Sequence, residues 1–156
     1  MIITAGKFKG KKVTAPDENI TRPTLSKVRM SIFNTLQAMT NFEGSSFLDM
    51  FAGSGIMGLE AISRGFSNVY AIEKNPKAFQ VIKSNFKNFS PAPKLLIGDS
   101  LKITQKLQDK FVVNAQKIYR KTTKIGNFVD RSKYGSYNYF ISLVCAAERM
   151  PRGRST

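Results

Sequence analysis

The sequence predicts an α/β protein with a parallel sheet, because short apolar runs alternate with segments of helical periodicity. The predicted strands cover residues 46–51, 68–73 and 94–98, and predicted helices over 56–64, 76–86 and 100–108 follow them in turn. A glycine-rich turn joins the first of these strands to its helix, as ligand-binding βαβ units require. With 156 residues, of which 42% are hydrophobic, the chain is long enough for one domain with its own core.

Two elements precede this alternating region. Residues 1–14 alternate apolar and polar side chains between glycine turns, which predicts a small β-hairpin. Residues 25–39 repeat apolar side chains at helical spacing and predict a helix. Further on, Gly65 is a C-terminal stop for one helix and Pro76 opens the next. The apolar face of that next helix is predicted to consist of Phe79, Val81, Ile82 and Phe86.

The composition excludes several classes of protein. With 25 Lys+Arg against 10 Asp+Glu, the formal charge is +15, which favours a polyanionic partner such as nucleic acid. The chain has no His and one Cys, so we expect neither a metal site nor an internal disulfide, and a reducing cytoplasm is the expected location. The apolar runs fall short of the ~20 residues that a membrane span needs, and the N-terminus lacks a secretory signal. We therefore expect a cytoplasmic monomer that does not enter a membrane.

The most informative stretch is a glycine array in which Gly53, Gly55 and Gly58 follow a strand and open a helix. Glycines at this spacing let the backbone approach a nucleotide-type ligand and let the helix pack closely on the sheet. Gly58 also has a purely structural interpretation, in which it serves helix packing alone. The array by itself leaves two ligand classes open, dinucleotides and S-adenosylmethionine.

Three carboxylates at predicted strand ends favour the second class. Asp49 would repel the pyrophosphate of a dinucleotide but attract the sulfonium and ammonium of S-adenosylmethionine. Glu73, which ends the next strand, could accept hydrogen bonds from a ribose diol, and Asp99 from the exocyclic amine of adenine. The structural alternatives are a helix N-cap for Asp49 or Asp99 and a solvated strand end for Glu73. The predicted cofactor site comprises Asp49, Phe51, Ala52, Gly53, Ser54, Gly55, Gly58, Glu73 and Asp99.

Residues 1 to about 110 resemble a known family in three places. These are the opening Ile2-Ile-Thr-Ala-Gly-Lys-Phe-Lys-Gly10, the segment Thr21-Arg-Pro-Thr24 with Val28-Arg29 and Phe33-Asn34, and Leu48-Asp-Met-Phe-Ala-Gly-Ser-Gly55 with Gly58-Leu-Glu-Ala61. The chain resembles the RsmD family of class I S-adenosylmethionine-dependent enzymes, which methylate the exocyclic N2 of one guanine in 16S ribosomal RNA. The resemblance implies a Rossmann-like sheet with an N-terminal hairpin, S-adenosylmethionine as cofactor, and ribosomal RNA or the small ribosomal subunit as partner.

The resemblance also implies residues on the RNA side of the site. Arg22, Thr24 and Arg29 would line the target base, and the hairpin lysines Lys7, Lys9, Lys11 and Lys12 would contact phosphates. Lysine supplies affinity without sequence preference, and arginine adds planar, bidentate recognition. The alternatives are a merely solvated hairpin and a structural role for Arg22, which would tie its loop to an acidic strand end.

The sequence departs from the family beyond residue 110. Enzymes that methylate exocyclic amines carry Asp/Asn-Pro-Pro-Tyr/Phe after the fourth strand, to orient the amine and stack on the extruded base. Here a possible fourth strand at residues 111–114 ends in Asn114, which Ala115 follows in place of Pro-Pro. Beyond residue 110 arginine outnumbers lysine and four of the five tyrosines occur, which suggests a changed reading frame near Phe111. A natural tail that binds RNA, or Asn114 with Tyr119 as a rearranged substrate clamp, are the alternatives.

The sequence thus predicts three regions: a hairpin and helix over residues 1–40, a cofactor-binding half over 41–110, and a divergent basic tail over 111–156. The function that the family resemblance implies is methyl transfer from S-adenosylmethionine to guanine N2 of small-subunit ribosomal RNA. Because half of the sheet that the family implies is missing, we expect this chain to bind the cofactor weakly or not at all and to be impaired in catalysis. The alternative functions are a non-catalytic basic RNA-binding protein and a dinucleotide-dependent oxidoreductase.

Overall fold

A four-stranded sheet with helices packed on it forms the body of the protein. The structure, a computed structural model, describes residues 1–17, 24–38, 40–107 and 145–147. The elements are α1 (Ser26–Gln37), β1 (Ser46–Asp49), α2 (Ile56–Ser63), β2 (Asn68–Glu73), α3 (Pro76–Phe86), β3 (Lys94–Ile97), α4 (Ser100–Leu107) and β4 (Cys145–Ala147). The predicted α/β class with alternating strands and helices is confirmed. Within the described ranges, none of these helices has both the length and the apolar character needed to cross a bilayer.

The strand order in the sheet is β3-β2-β1-β4. β1 pairs parallel with β2, and β2 pairs parallel with β3, so three strands run in one direction. β4 pairs antiparallel with β1, with Leu48 opposite Cys145. The sequence did not predict β4, and the strand predicted at 111–114 lies outside the described residues. Because β1, β2 and β3 are parallel, their carboxyl ends meet at one edge of the sheet.

The N-terminal segment forms the predicted hairpin, closed by an antiparallel bridge between Ile2 and Lys12. The Ile3 N–H donates to the Lys11 carbonyl at 3.1 Å, and the Val13 N–H donates to the Met1 carbonyl at 2.8 Å. The side chains of Ile3 and Val13 are buried in the main core. The hairpin is therefore part of the body of the protein.

Stacked aromatic rings fill the core between α1 and the sheet. The rings of Phe33 and Phe47 lie 5.6 Å apart between centroids, and Phe47 meets Phe66 edge to face at 5.3 Å. Phe42 completes the series by stacking on Phe66 at 4.3 Å. These rings join α1, β1 and the turn after α2 into one hydrophobic cluster.

The buried face of α3 differs from the predicted one. Ile82 and Phe86 are buried as predicted, but Phe79 and Val81 are only half-buried. The other two buried positions are Ala78 and Asn85. The buried positions 78, 82, 85 and 86 follow the 3.6-residue period of a helix more closely than the predicted set. A polar side chain is tolerated at position 85 because Asn85 is hydrogen-bonded.

A buried carboxylate joins the hairpin to two helices. Glu60 of α2 is completely buried and pairs with Arg29 of α1 at 3.2 Å and with Arg64 at 3.3 Å. The Thr4 N–H and hydroxyl of the hairpin also donate to Glu60, at 2.8 and 3.0 Å. Each acceptor oxygen of Glu60 therefore has two donors, which compensates for the loss of hydration.

The Glu60 network predicts a large effect of replacing Arg29. We expect Arg29→Met to lower the free energy of unfolding by about 3 kcal/mol, because Glu60 stays buried with one cation fewer. Urea unfolding measures the difference. Lys27→Met also replaces a cationic side chain with methionine, but at an exposed position of α1. The free energy of unfolding of this variant should stay within about 0.5 kcal/mol of that of the unmodified chain. Equal effects of the two substitutions would contradict the role assigned to the network.

Candidate functional site

The three predicted strand-end carboxylates lie at one edge of the sheet. Asp49 is the last residue of β1, Glu73 is the last residue of β2, and Asp99 follows β3 by two positions. Because these strands are parallel, the fold brings the three acids to the same side, where open α/β sheets bind ligands. In the part of the chain that the structure describes, no group of three or more His, Cys, Asp or Glu side chains could hold a metal ion.

Asp49 is buried and only partly satisfied. Its exposed fraction is 1%, and its Oδ1 accepts a hydrogen bond from the Phe51 N–H at 3.2 Å. Its Oδ2 is buried and has no hydrogen-bond partner among the described residues. Burial raises the pKa of Asp49 to about 7; the Phe51 N–H opposes this shift, and the nearby Glu73 carboxylate adds to it. A cation bound here would supply the charge that the protein leaves out.

Glu73 holds the glycine loop against the end of β2. Its Oε2 accepts from the Gly53 N–H at 2.8 Å, and its Oε1 accepts from the Asn75 N–H at 2.7 Å. Glu73 is therefore more than a solvated strand end. Each carboxylate oxygen can accept a second hydrogen bond, so the side chain can still bind a hydroxyl group.

Asp99 caps the start of α4, as its structural alternative suggested. Its Oδ1 accepts from the Lys102 N–H at 3.2 Å, a capping contact in the first turn. The neighbouring Ser100 hydroxyl donates to the Met50 carbonyl at 2.6 Å and joins this turn to the end of β1. Asp99 is half-buried, and its position next to β3 is fixed by these contacts.

The glycine loop has the backbone conformation that only glycine adopts easily. Gly53 and Gly55 have φ angles of +54° and +76°, in the left-handed region. A Cβ on Gly55 would lie 2.8 Å from Phe86 of α3. This position therefore requires glycine both for its φ angle and for lack of space. A Cβ on Gly58 would lie 3.3 Å from Val69, which agrees with a packing role for that residue.

Three N–H groups of this loop have acceptors within the protein. Ala52 donates to the Ile72 carbonyl at 3.0 Å, and Gly55 donates to the Ala52 carbonyl at 2.7 Å. Gly53 donates to Glu73 at 2.8 Å. A pyrophosphate site needs such donors directed at the ligand. These three N–H groups are therefore not available to a pyrophosphate, which favours a ligand that brings no phosphate to them.

Two exposed apolar side chains flank the acidic edge. Phe51 is 51% exposed after β1, and Ile97 is 55% exposed at the end of β3. Apolar surfaces of this kind can pack on a planar heterocycle. Phe51 belongs to the predicted site, whereas sequence reasoning missed Ile97, although its position directly before Gly98 and Asp99 was a usable signal.

The hairpin lysines are exposed, but they are not equivalent. Lys7, Lys9, Lys11 and Lys12 all face solvent. Lys11 differs from the others, because its ammonium donates to the Asn88 carbonyl and lies 4.2 Å from the Phe89 ring centroid. Lys11 therefore ties the hairpin to the end of α3, and Lys9 and Lys12 are better placed to meet a phosphate.

The residues expected around the target base differ in burial, and one of them lies outside the described residues. Arg29 is 1% exposed, and its guanidinium donates to Glu60 and to the carbonyls of Ile2 and Thr24. These contacts give Arg29 an intramolecular role, and its contact with the target base stays a prediction. Thr24 is half-buried beside it. Arg22 lies outside the described residues, as do Asn114 and Tyr119.

Comparison with known proteins places the chain in a family. The family model described as Conserved hypothetical protein 95 matches residues 1–119. The Bacillus subtilis protein YlbH is 44% identical over 87 residues, which cover 56% of this chain and 46% of that protein. Ribosomal RNA small subunit methyltransferase D of Escherichia coli is 37% identical over 83 residues, covering 53% of this chain and 41% of the relative.

A solved structure has the same fold. A protein of Thermus thermophilus aligns with a TM-score of 0.63 at 27% identity, covering 70% of this chain and 62% of that one. The chain spans about half the length of the curated relatives that it matches. The family model extends nine residues beyond position 110, where the sequence resemblance was lost. The chain thus belongs to the family described as Conserved hypothetical protein 95, which is the RsmD family that its motifs resemble.

Proposed function

We propose that this chain binds S-adenosylmethionine at the acidic edge of its sheet. We further propose that it represents the cofactor-binding part of an enzyme that methylates guanine N2 in small-subunit ribosomal RNA. The observation that carries the first proposal is the buried Oδ2 of Asp49, which has no partner among the described residues. The Escherichia coli relative, a ribosomal RNA small subunit methyltransferase by name, supports the second.

The charge of the cofactor fits the charge of the site. A buried carboxylate without a cation is costly, and its raised pKa expresses that cost. S-adenosylmethionine carries an ammonium and a sulfonium, either of which would stabilise the ionised Asp49. A dinucleotide would instead bring a pyrophosphate next to the Asp49 carboxylate, at a loop where three N–H groups already have acceptors within the protein.

The remaining groups of the edge match the rest of the cofactor. Glu73 can accept a ribose hydroxyl on the free lone pairs of its oxygens while it holds Gly53. Asp99 can accept from the exocyclic amine of adenine. Phe51 and Ile97 offer apolar surface to the adenine ring.

The transfer step needs orientation more than acid or base catalysis. When bound, the cofactor supplies an activated methyl group, and the protein has to bring the guanine amine in line with it. The described residues form the cofactor side of this arrangement. The sequence lacks the Asp/Asn-Pro-Pro-Tyr/Phe motif that would orient the amine, so we propose that the chain transfers the methyl group poorly. Binding of the cofactor is proposed in place of the weak or absent binding expected from the sequence, because the acidic edge is complete within the described residues.

The titration of Asp49 predicts how cofactor binding depends on pH. An ammonium is bound by the ionised form, so the affinity for S-adenosylhomocysteine should rise about tenfold per pH unit up to about pH 7 and level off above it. Calorimetry from pH 5 to 8 measures this dependence. Asp49→Asn should weaken binding and abolish the dependence, and Glu43→Gln, at an exposed acid, should change neither. Binding of NAD in place of S-adenosylhomocysteine would contradict the proposal and support an oxidoreductase.

The same titration affects the stability of the ligand-free protein. The folded-state pKa of about 7 lies above the ordinary value of 3.8, so between these values the folded protein binds more protons than the unfolded chain. The stabilising contribution of the neutral carboxyl is present below about pH 4 and is lost as the pH rises to 7. Relative to Asp49→Asn, the unmodified chain should lose about 1.4 kcal/mol per pH unit over this range in urea unfolding. A constant difference between the two proteins would show that Asp49 is already compensated.

The hairpin lysines predict the salt dependence of RNA binding. Replacing Lys9 or Lys12 with Gln should weaken binding to small-subunit ribosomal RNA and reduce the slope of log affinity against log salt by about 1 for each lysine. Filter binding at several salt concentrations measures the slopes. Lys11→Gln should lower protein stability while changing the slope less, because Lys11 contacts Asn88 and Phe89. Salt slopes that no lysine changes would contradict an RNA-binding hairpin.

A further inference from the structure

Asn85 is a buried amide that joins two distant segments of the chain. It lies in the last turn of α3 and is 6% exposed. Its Oδ1 accepts from the Thr14 N–H at 3.1 Å, and its Nδ2 donates to the Thr14 carbonyl at 2.8 Å. The same Nδ2 donates to the Ser54 carbonyl at 3.3 Å. One side chain therefore connects the end of the hairpin with the glycine loop.

The three contacts require an amide. Thr14 presents one donor and one acceptor, and Ser54 presents a second acceptor. The amide of Asn85 has one acceptor oxygen and two N–H donors, which match this set. A carboxylate at position 85 would place negative charge against two carbonyl oxygens, and an apolar side chain would leave all three backbone groups without a partner.

The contact with Ser54 fixes one peptide group of the loop. The Ser54 carbonyl and the Gly55 N–H belong to the same planar peptide unit. Asn85 holds the carbonyl, and the Ala52 carbonyl accepts from the Gly55 N–H at 2.7 Å. Both ends of the unit are therefore restrained, and rotation of this peptide would break two hydrogen bonds.

The last turns of α3 also fill the space behind Gly55. A Cβ on Gly55 would lie 2.8 Å from Phe86 and 2.9 Å from Ile82. Asn85 lies on the same helix face as these two side chains, so apolar contact and hydrogen bonding support the loop from one side.

We propose that Asn85 is a positioning residue for the cofactor, which holds the glycine loop in the conformation that accepts the methionine part of S-adenosylmethionine. The inference rests on the proposed function, because it needs a cofactor at this loop. Asn85 contacts no part of the site's acidic edge itself and acts through Ser54.

Hydrogen exchange in the ligand-free protein tests the structural half of this proposal. Asn85→Ala should speed exchange of the Gly55 amide about tenfold relative to the Arg64 amide, which donates to the Glu60 carbonyl at the end of α2, because the carbonyl of the Ser54–Gly55 peptide is released. Asn88→Ala removes the same side chain one turn on, where it is exposed, and should leave this ratio unchanged. An unchanged ratio in Asn85→Ala would overturn the proposal.

Ligand affinities test the functional half. Asn85→Ala should weaken binding of S-adenosylhomocysteine about tenfold but binding of adenosine less than about twofold, because adenosine lacks the methionine part. Asn85→Asp should weaken S-adenosylhomocysteine further, and Asn88→Ala should change neither affinity. Equal losses for both ligands would overturn the positioning role, since general destabilisation does not distinguish them. If the unmodified chain binds no S-adenosylhomocysteine, the proposed function fails, and the exchange ratio still decides whether Asn85 positions the loop.

Discussion

The ion-paired burial of Glu60 is the constraint on which the rest of the described structure depends. A carboxylate with no exposed surface must be neutralised and fully hydrogen-bonded, and the donors come from α1, from α2 and from the hairpin. None of these elements can move away without removing a donor from the buried carboxylate. The hairpin is consequently fixed on the sheet, and this docking brings Thr14 to Asn85 and the glycine loop. RNA contacts made by the hairpin would therefore have a fixed geometry relative to the acidic edge of the sheet.

Local signals explain which parts of the fold were predictable from the sequence. β2 has the predicted bounds, and α3 begins at Pro76 as predicted, with the Asn75 side chain capping it at the Lys77 N–H. These features depend on periodicity and caps within a few residues. The pairings that sequence reasoning missed are long-range, as in the contact of Asn85 with Thr14 and that of Arg29 with Glu60. Neither partner of such a pair carries a local mark of the other.

The candidate site was predictable in its residue types but not in its hydrogen bonding. The order of acids along three parallel strands is sufficient to place Asp49, Glu73 and Asp99 at one edge. The sequence could not show that Glu73 already binds the Gly53 N–H, and it left open whether Asp99 caps a helix, because both contacts depend on the loop conformation. Glu73 and Asp99 thus stabilise the local structure in addition to any contact with a ligand.

Comparison of two buried carboxylates supports the proposal that the ligand binds at Asp49. Glu60 and Asp49 have exposed fractions of 0% and 1%, so both have lost their hydration. Hydrogen bonds and ion pairs with two arginines and Thr4 compensate Glu60 for its lost hydration. Asp49 instead has one backbone donor, and its second oxygen has no partner among the described residues. Among the basic side chains of the described residues, none forms an ion pair with Asp49. A buried acid without a cationic partner in the protein is suited to bind a cationic group of a ligand.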